Sequence, residues 1–169
     1  MTNKYYTNGN KMLAFYCATS IGSQPWAPQG YYVGIDGVTY RGVAWDGSSV
    51  NNRILKELNP LLQLVIYPSS DTIEDYNSAQ TALTNVVGTY SQAMVFDPTT
   101  ASANYTITVT SATDITINSL HITKQLRLSN GSAWVEDKEI LFLTIYLDTP
   151  ITIRAGETKS FTITRTMTA

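Results

Sequence analysis

Apolar and polar side chains alternate with a period of two through much of the chain after residue 104. Residues 105–110 read Tyr-Thr-Ile-Thr-Val-Thr, and a second alternation begins at residue 115. The phase slips near Ser119, which indicates a bulge or a bend in that strand. Turn residues such as Asn130-Gly131 and Gly156 separate the later apolar runs. Short strands divided by turn signals predict an antiparallel β-sandwich, either immunoglobulin-like or jelly-roll-like.

Two further strand signals precede this region. The pair Asp36-Gly37 separates two short apolar runs and favours a type I′ turn, because that turn needs positive φ at both central positions. We therefore predict a hairpin over residues 31–43 and a second turn at Asp46-Gly47. Residues 61–67 are mostly apolar and lie between two prolines, which favours a buried strand.

One segment has a helical period instead. Asp71 can cap a helix, and Glu74 stands three residues later in the capping-box position. The pattern predicts one α-helix at about 71–90, packed across the sheet. Its apolar positions recur at spacings of three and four: Ile73, Tyr76, Ala79, Leu83, Val86, Val87 and Tyr90.

These elements fit a single domain over residues 1–169. Residues 1–60 form a Gly- and Tyr-rich arm with hairpins, residues 61–96 a strand and the helix, and residues 97–169 the Thr-rich sandwich strands. The length suits one domain with its own hydrophobic core.

The composition excludes several classes of function. Only 14% of residues are charged and the net charge is -2, so we expect no direct binding of nucleic acid. A metal or cofactor site is not expected, because the chain has one histidine, His121, and one cysteine, Cys17. The alternation places His121 on the face of its strand opposite Leu120 and Ile122, which predicts a solvent-facing side chain. A substitution there should then cost about 0.5 kcal/mol or less.

No catalytic constellation is evident either. The acidic residues at 71–75 suit a helix N-terminus, and Glu136, Asp137 and Glu139 suit a solvated hairpin tip. We therefore predict that the chain is not an enzyme and has no catalytic, cofactor-binding or metal-binding residues. A membrane span is not expected, since no apolar run approaches 18 residues, and the absence of a signal-peptide pattern predicts synthesis in a cytoplasm.

Aromatic residues of the first part are the candidate interaction residues. Tyr and Trp are enriched at protein contacts, which selects Tyr5, Tyr6, Trp26, Tyr31 and Tyr32 as interface candidates. The polar residues 2–10 are expected to be an arm ordered only against a neighbour. A glycan-binding module is the alternative, with Trp26, Tyr32 and Trp45 as a platform for stacking on a host glycan.

The order of signals between residues 93 and 168 resembles the C-terminal half of small structural proteins of tailed bacteriophages and prophages. The resemblance rests on Phe96-Asp97-Pro98, the Thr-rich strand at 105–110, the Leu-Asp-Thr-Pro-Ile-Thr-Ile sequence at 147–153 and the turn at 155–158. It implies a virion protein of the head, the collar or the tail. Such a protein would be made in the host cytoplasm, form homo-oligomers and bind other virion proteins.

Overall fold

A computed structural model of the chain describes residues 1–11, 30–42, 64–97, 99, 102–129 and 134–166. Within these ranges almost all regular structure is β, apart from helical residues 7–11 and a 3₁₀ turn at Ile73–Asp75. The strands are β1 (Thr2–Tyr5), β2 (Gly30–Val33), β3 (Thr39–Gly42), β4 (Leu64–Ser69), β5 (Thr89–Asp97), β6 (Ser102–Thr110), β7 (Ile115–Ser129), β8 (Trp134–Ile153) and β9 (Thr158–Thr166).

Within the described residues the strands form two antiparallel sheets. The larger has the order β1-β8-β7-β3-β2, and β4 also pairs with β7. Residues 119–124 of β7 pair with β4 and with β8, so these two strands lie on opposite sides of β7. The smaller sheet has the order β5-β6-β9. The prediction of a mostly β, antiparallel fold is confirmed.

Both sheets contribute to one hydrophobic core. The alternation in β6 buries Tyr105, Ile107 and Val109, and they join Ile66 and Ile122 of the larger sheet in one cluster. Gln92 of β5 links the two sheets at one edge. Its side-chain amide accepts from the Ile66 N–H at 2.9 Å and donates to the Leu64 carbonyl at 3.1 Å. These bonds satisfy the Ile66 N–H and the Leu64 C=O, two backbone groups of β4 on the edge that faces β5.

Several local predictions are confirmed. The phase slip near Ser119 is a register shift between Ile117 and Ser119 in the β7–β8 pairing. The turn at 155–157 contains Gly156 with φ 77°. The predicted strand at 61–67 is present as β4 from Leu64 and continues to Ser69; residues 61–63 lie outside the described residues.

The hairpin at 31–43 is present as β2 and β3, but its turn differs from the predicted type. Gly34 pairs with Val38, and the Gly37 N–H donates to the Gly34 carbonyl at 2.9 Å. Gly37 has φ 77°, whereas Asp36 does not have positive φ. The Asp36 carboxylate instead accepts from the Val38 N–H at 3.0 Å, which favours a longer loop. The predicted turn at Asp46-Gly47 lies outside the described residues.

The predicted α-helix at 71–90 is wrong. This segment contains only the 3₁₀ turn and then loop structure up to β5. Its Ser, Thr, Asn and Asp side chains bond to nearby groups, as in the Asn77 carbonyl that accepts from the Ala79 N–H at 3.0 Å. Such local bonds compete with the helical ladder. Asn85 with φ 46° and Gly88 with φ 71° then turn the chain in ways a helix does not allow.

The polar start of the chain also differs from expectation. Strand β1 pairs with β8 of its own chain, from Thr2 opposite Tyr146 to Tyr5 opposite Leu143. The next residues continue this attachment, since the Tyr6 N–H donates to the Phe142 carbonyl at 3.2 Å and the Thr7 N–H to the Ser78 carbonyl at 2.8 Å. The arm is therefore ordered without a neighbouring molecule.

Candidate functional site

The outer side of the smaller sheet is an exposed surface, here called the hydroxyl face. It arises because alternate residues of three paired strands point the same way while their neighbours enter the core. The strand register aligns this side of the sheet in five rows across β5, β6 and β9, and the fifth row is Asp97, Ser102 and Thr166. The hydroxyl face is defined by the other four rows. Nine of the twelve side chains carry a hydroxyl and none is charged: Thr89, Thr110 and Thr158; Ser91, Thr108 and Ser160; Ala93, Thr106 and Thr162; Val95, Asn104 and Thr164.

The hydroxyls of β6 and β9 bond to one another across the strands. Thr108 and Ser160 are joined at 2.8 Å, and Thr110 and Thr158 also at 2.8 Å. The next two rows repeat this arrangement. Thr106 and Thr162 are joined at 3.2 Å, and the Thr164 hydroxyl donates to the side-chain amide oxygen of Asn104 at 2.6 Å. Each of these bonds restrains the side chains that it joins.

Two physical properties make this face suitable for contact. Covering it removes no charge from water, so the large desolvation cost of an ion is avoided. Thr is stiff at χ1 and is already ordered by its cross-strand partner, so little side-chain entropy remains to be lost on binding. Val95, 65% exposed at one end of the face, adds apolar area.

The predicted aromatic interface residues do not form one surface in the described residues. Tyr31 is exposed at 65%, whereas Tyr6 and Tyr32 are buried at 0% and 1%. Tyr5 packs partly buried, with its ring edge-on to Phe142 at 5.7 Å between centroids. Burial raises the pKa of Tyr32 to about 12. Because its ring is buried, Tyr32 is unavailable for stacking on a glycan. Trp26 and Trp45 lie outside the described residues.

A buried polar cluster occupies the opposite side of the larger sheet from the shared core; we call it the His121 cluster. It comprises Tyr6, Asp71, Thr84, His121 and Thr144. The His121 Nδ1 lies 2.6 Å from the Thr144 hydroxyl, and Nε2 lies 3.1 Å from Asp71 Oδ2 and 3.1 Å from the Thr84 carbonyl oxygen. The Tyr6 hydroxyl lies 2.7 Å from the Thr144 hydroxyl.

The prediction of a solvent-facing His121 is therefore wrong. Its side chain is 0% exposed, because Tyr6 and the 70–87 segment cover this side of the sheet. The pKa of His121 is lowered by burial, against the opposing effects of the Asp71 carboxylate and the Thr84 carbonyl. The alternation along β7 does place His121 on the side of the strand opposite Leu120 and Ile122. Both sides are covered by other residues, so neither faces solvent.

The parts of an acid–base–hydroxyl arrangement meet here, yet no substrate reaches them in this conformation. Asp71, His121 and Thr144 are all buried. Asp71 is held further by the Asn85 amide at 2.5 Å and by the Thr84 hydroxyl. The arrangement as it stands orients side chains and joins elements.

Residues 136–139 lie within strand β8 and not at the predicted solvated hairpin tip. Glu139 lies within β8, where its carboxylate accepts from the Tyr67 hydroxyl at 2.6 Å and from the Thr123 hydroxyl at 2.8 Å. Burial and this carboxylate raise the pKa of Tyr67. Among the described residues there is no group of three or more His, Cys, Asp or Glu side chains that could hold a metal ion.

Comparison with known proteins gives no family assignment, because no family model, no curated protein and no solved structure matches the chain. Across the described ranges, no helix has the length and apolar character needed to cross a membrane.

Proposed function

We propose that the chain is a non-enzymatic structural component of a tailed-phage particle, in the head, collar or tail, and that it acts through protein–protein contact in a multimeric assembly. Its strands form an immunoglobulin-like or jelly-roll-like β-sandwich in this proposal. The resemblance of residues 93–168 to phage modules supports the class of protein. Its partners are further copies of itself and other virion proteins.

The observation that carries the proposed mode of action is the hydroxyl face. Four aligned rows without a charge present a regular surface, on a strand spacing of about 4.8 Å. Protein surfaces commonly carry Lys, Glu and Asp, which are depleted where proteins meet. An uncharged and ordered face is thus suited to being covered in an assembly.

A charge placed in this face tests the proposal. Thr162→Lys puts an ammonium group in the third row, where covering it would require the charge to be desolvated. We expect the variant to lose self-association or binding to particle proteins at least tenfold, measured by sedimentation of the full chain alone and with disassembled particles. Thr116→Lys is the matched control, because Thr116 is also an exposed strand threonine but lies in the larger sheet.

The same variants separate the proposal from its alternatives. Equal assembly by native chain and Thr162→Lys would remove the hydroxyl face from the contact. Retention of the native chain and of Thr162→Lys alike on a host polysaccharide column would favour the glycan-binding alternative, whose predicted stacking residues do not belong to the hydroxyl face. Immunogold labelling with antibody against the full chain should mark a fixed position on particles made by cells carrying its gene, and unlabelled particles would contradict a virion location.

A further inference from the structure

Strand β9 forms one edge of the smaller sheet. It pairs with β6 over the whole of Thr158–Thr166 without a register shift, and among the described strands none pairs with its other side. At the opposite edge of this sheet, Gln92 of β5 bonds to β4. Because β4 and β8 lie on opposite sides of β7, the β9 edge lies on the side of the molecule where β8 and β1 are.

Alternate backbone groups of β9 point away from β6. The Gly156 N–H donates to the Ser111 carbonyl at 2.7 Å, and the Ser111 N–H donates to the Glu157 carbonyl at 3.4 Å. With Gly156 at φ 77°, this is the bonding of a G1 bulge, in which Glu157 and Ser111 are a hydrogen-bonded pair. Such pairs alternate with non-bonded pairs along an antiparallel ladder, so the odd-numbered residues of β9 bond to β6. The even-numbered residues, such as Thr162, therefore direct their N–H and C=O groups to the open edge.

An apolar cavity lies beside this edge. Its volume is about 260 Å³, and its walls include Tyr5 of β1, Leu143 and Ile145 of β8, and Ile163 of β9. Thr164 also lines it, although its side chain belongs to the hydroxyl face, so the cavity reaches the backbone edge of β9. A cavity of about 150 Å³ can hold a benzene molecule, so a large apolar side chain fits here. The described part of the lining contains no Lys, Arg, Asp or Glu.

The shape of this site selects an extended segment as its occupant. The larger sheet continues beyond the β9 edge, because β1 pairs with the outer side of β8 and forms one wall of the cavity. A single strand beside β9 lies above β1, whereas the second sheet of a complete neighbouring sandwich would collide with β1. The site therefore excludes edge-to-edge pairing of two whole sandwiches.

The usual protection of a free edge is weak in β9. Edge strands are commonly blocked by proline, a bulge or an inward-pointing charge. From residue 158 to residue 166 there is no proline, and the pairing with β6 is regular. Lys159 points inward at one end, but its ammonium group donates to the Thr152 carbonyl at 2.6 Å and lies 3.7 Å from the Glu157 carboxylate. This charge is thus held at the end of the strand within its own chain.

We propose that β9 and the neighbouring cavity bind an extended, uncharged segment of a partner protein, which adds a fourth strand to the smaller sheet. The backbone of this segment pairs with the even-numbered residues of β9. Its side chains alternate: apolar ones enter the cavity, and hydroxyl-bearing ones extend the rows of the hydroxyl face. The proposal uses the edge of the sheet, and it holds whether or not the chain is a virion component.

Hydrogen exchange of the full chain, followed by NMR, tests the proposal with a synthetic peptide. The peptide copies residues 105–110, Tyr-Thr-Ile-Thr-Val-Thr, which have the required alternation and pair with the other edge of β9. Without peptide, the amides of Ser160, Thr162 and Thr164 should exchange rapidly, whereas those of Phe161 and Ile163 should be protected. Saturating peptide should raise the protection of the first group about tenfold or more. A control peptide of order Tyr-Ile-Val-Thr-Thr-Thr should have no effect.

Three outcomes of this experiment would overturn the proposal. The first is unchanged exchange of the even-numbered amides at saturating peptide. The second is their full protection in the dilute chain alone, which would mean that the chain covers its own edge. The third is protection that rises with the concentration of the chain without peptide, which would assign the edge to a second copy.

Substitutions at Thr162 separate the edge from the hydroxyl face. Thr162→Pro removes an N–H that points away from β6, so the sheet should remain while peptide affinity falls about tenfold or more. Thr162→Val keeps the N–H and should bind the peptide as the native chain does. Thr162→Lys also keeps the N–H and should bind the peptide even though it disturbs the hydroxyl face. Equal affinity of the Pro and Val variants would refute the proposal, and if Thr162→Pro does not fold, the amide pattern of the native chain decides.

Discussion

A methyl group added at Gly88 should cause both backbone strain and packing strain. Comparison with glycines that have free space around them separates the two contributions. Gly88 has φ 71°, and it directly precedes β5. A Cβ at this position would lie 2.8 Å from Val109 Cγ1 and 3.1 Å from both Ile115 Cδ1 and the Thr110 carbonyl oxygen. Val109 is fully buried, so it has little room to move away.

The expected cost of Gly88→Ala is the sum of two terms. A left-handed φ costs an L-residue about 1–2 kcal/mol. Inserting a methyl group into packed surroundings costs a further 1–3 kcal/mol or so. We therefore expect the free energy of unfolding to fall by about 2–5 kcal/mol.

Gly37→Ala and Gly156→Ala are matched controls. Both glycines have φ 77°, but an added Cβ would meet nothing within 4 Å at either position. Each control should lose only the backbone term, about 1–2 kcal/mol. Urea denaturation followed by tryptophan fluorescence measures all three variants, and the slope should stay constant. Equal losses at Gly88 and Gly37 would refute the packing described around Gly88.

Two further predictions concern buried polar side chains. His121→Ala at pH 7.5 should lower the free energy of unfolding by about 2–4 kcal/mol, because the buried groups of Asp71, Thr84 and Thr144 lose their hydrogen-bond partner. A loss below about 0.5 kcal/mol in urea denaturation would mean that His121 is solvent-exposed. Because burial raises the pKa of Tyr32 to about 12, the folded chain holds this proton while the unfolded chain loses it near pH 10, so stability should fall as the pH rises from 10 to 12. Tyr32→Phe should reduce that alkaline loss, and an unchanged pH profile would contradict it.

The failure of the predicted helix shows a limit of periodicity. Residues 71–90 do carry apolar side chains at spacings of three and four, yet Ile73 and Val86 are exposed. The deciding groups are polar. Asp71 is buried and bonded to Asn85, and Ser69 donates to the Thr84 carbonyl at 3.0 Å, so the segment is held by contacts that no helix could make.

The aromatic residues show a second limit. Tyr5, Tyr6 and Tyr32 were predicted at an interface with other molecules, whereas the contacts that the structure shows for them lie within this chain. The same chemistry serves a core and an interface, because both bury large rings with a polar tip. Sequence alone could not distinguish the two.

The amino-acid sequence by itself determined the strands after residue 104, the bulge near Ser119, the turn at Gly156 and the alternation of apolar residues with threonine at 105–110. Strand periodicity and turn chemistry are local properties. Only the tertiary structure decided which strands are covered by other residues on both sides. A period of two separates the sides of β7, but burial of His121 depends on Tyr6 and Asp71, which lie 115 and 50 positions earlier in the chain. Such long-range contacts follow from how sheets and loops pack, and no local pattern records them.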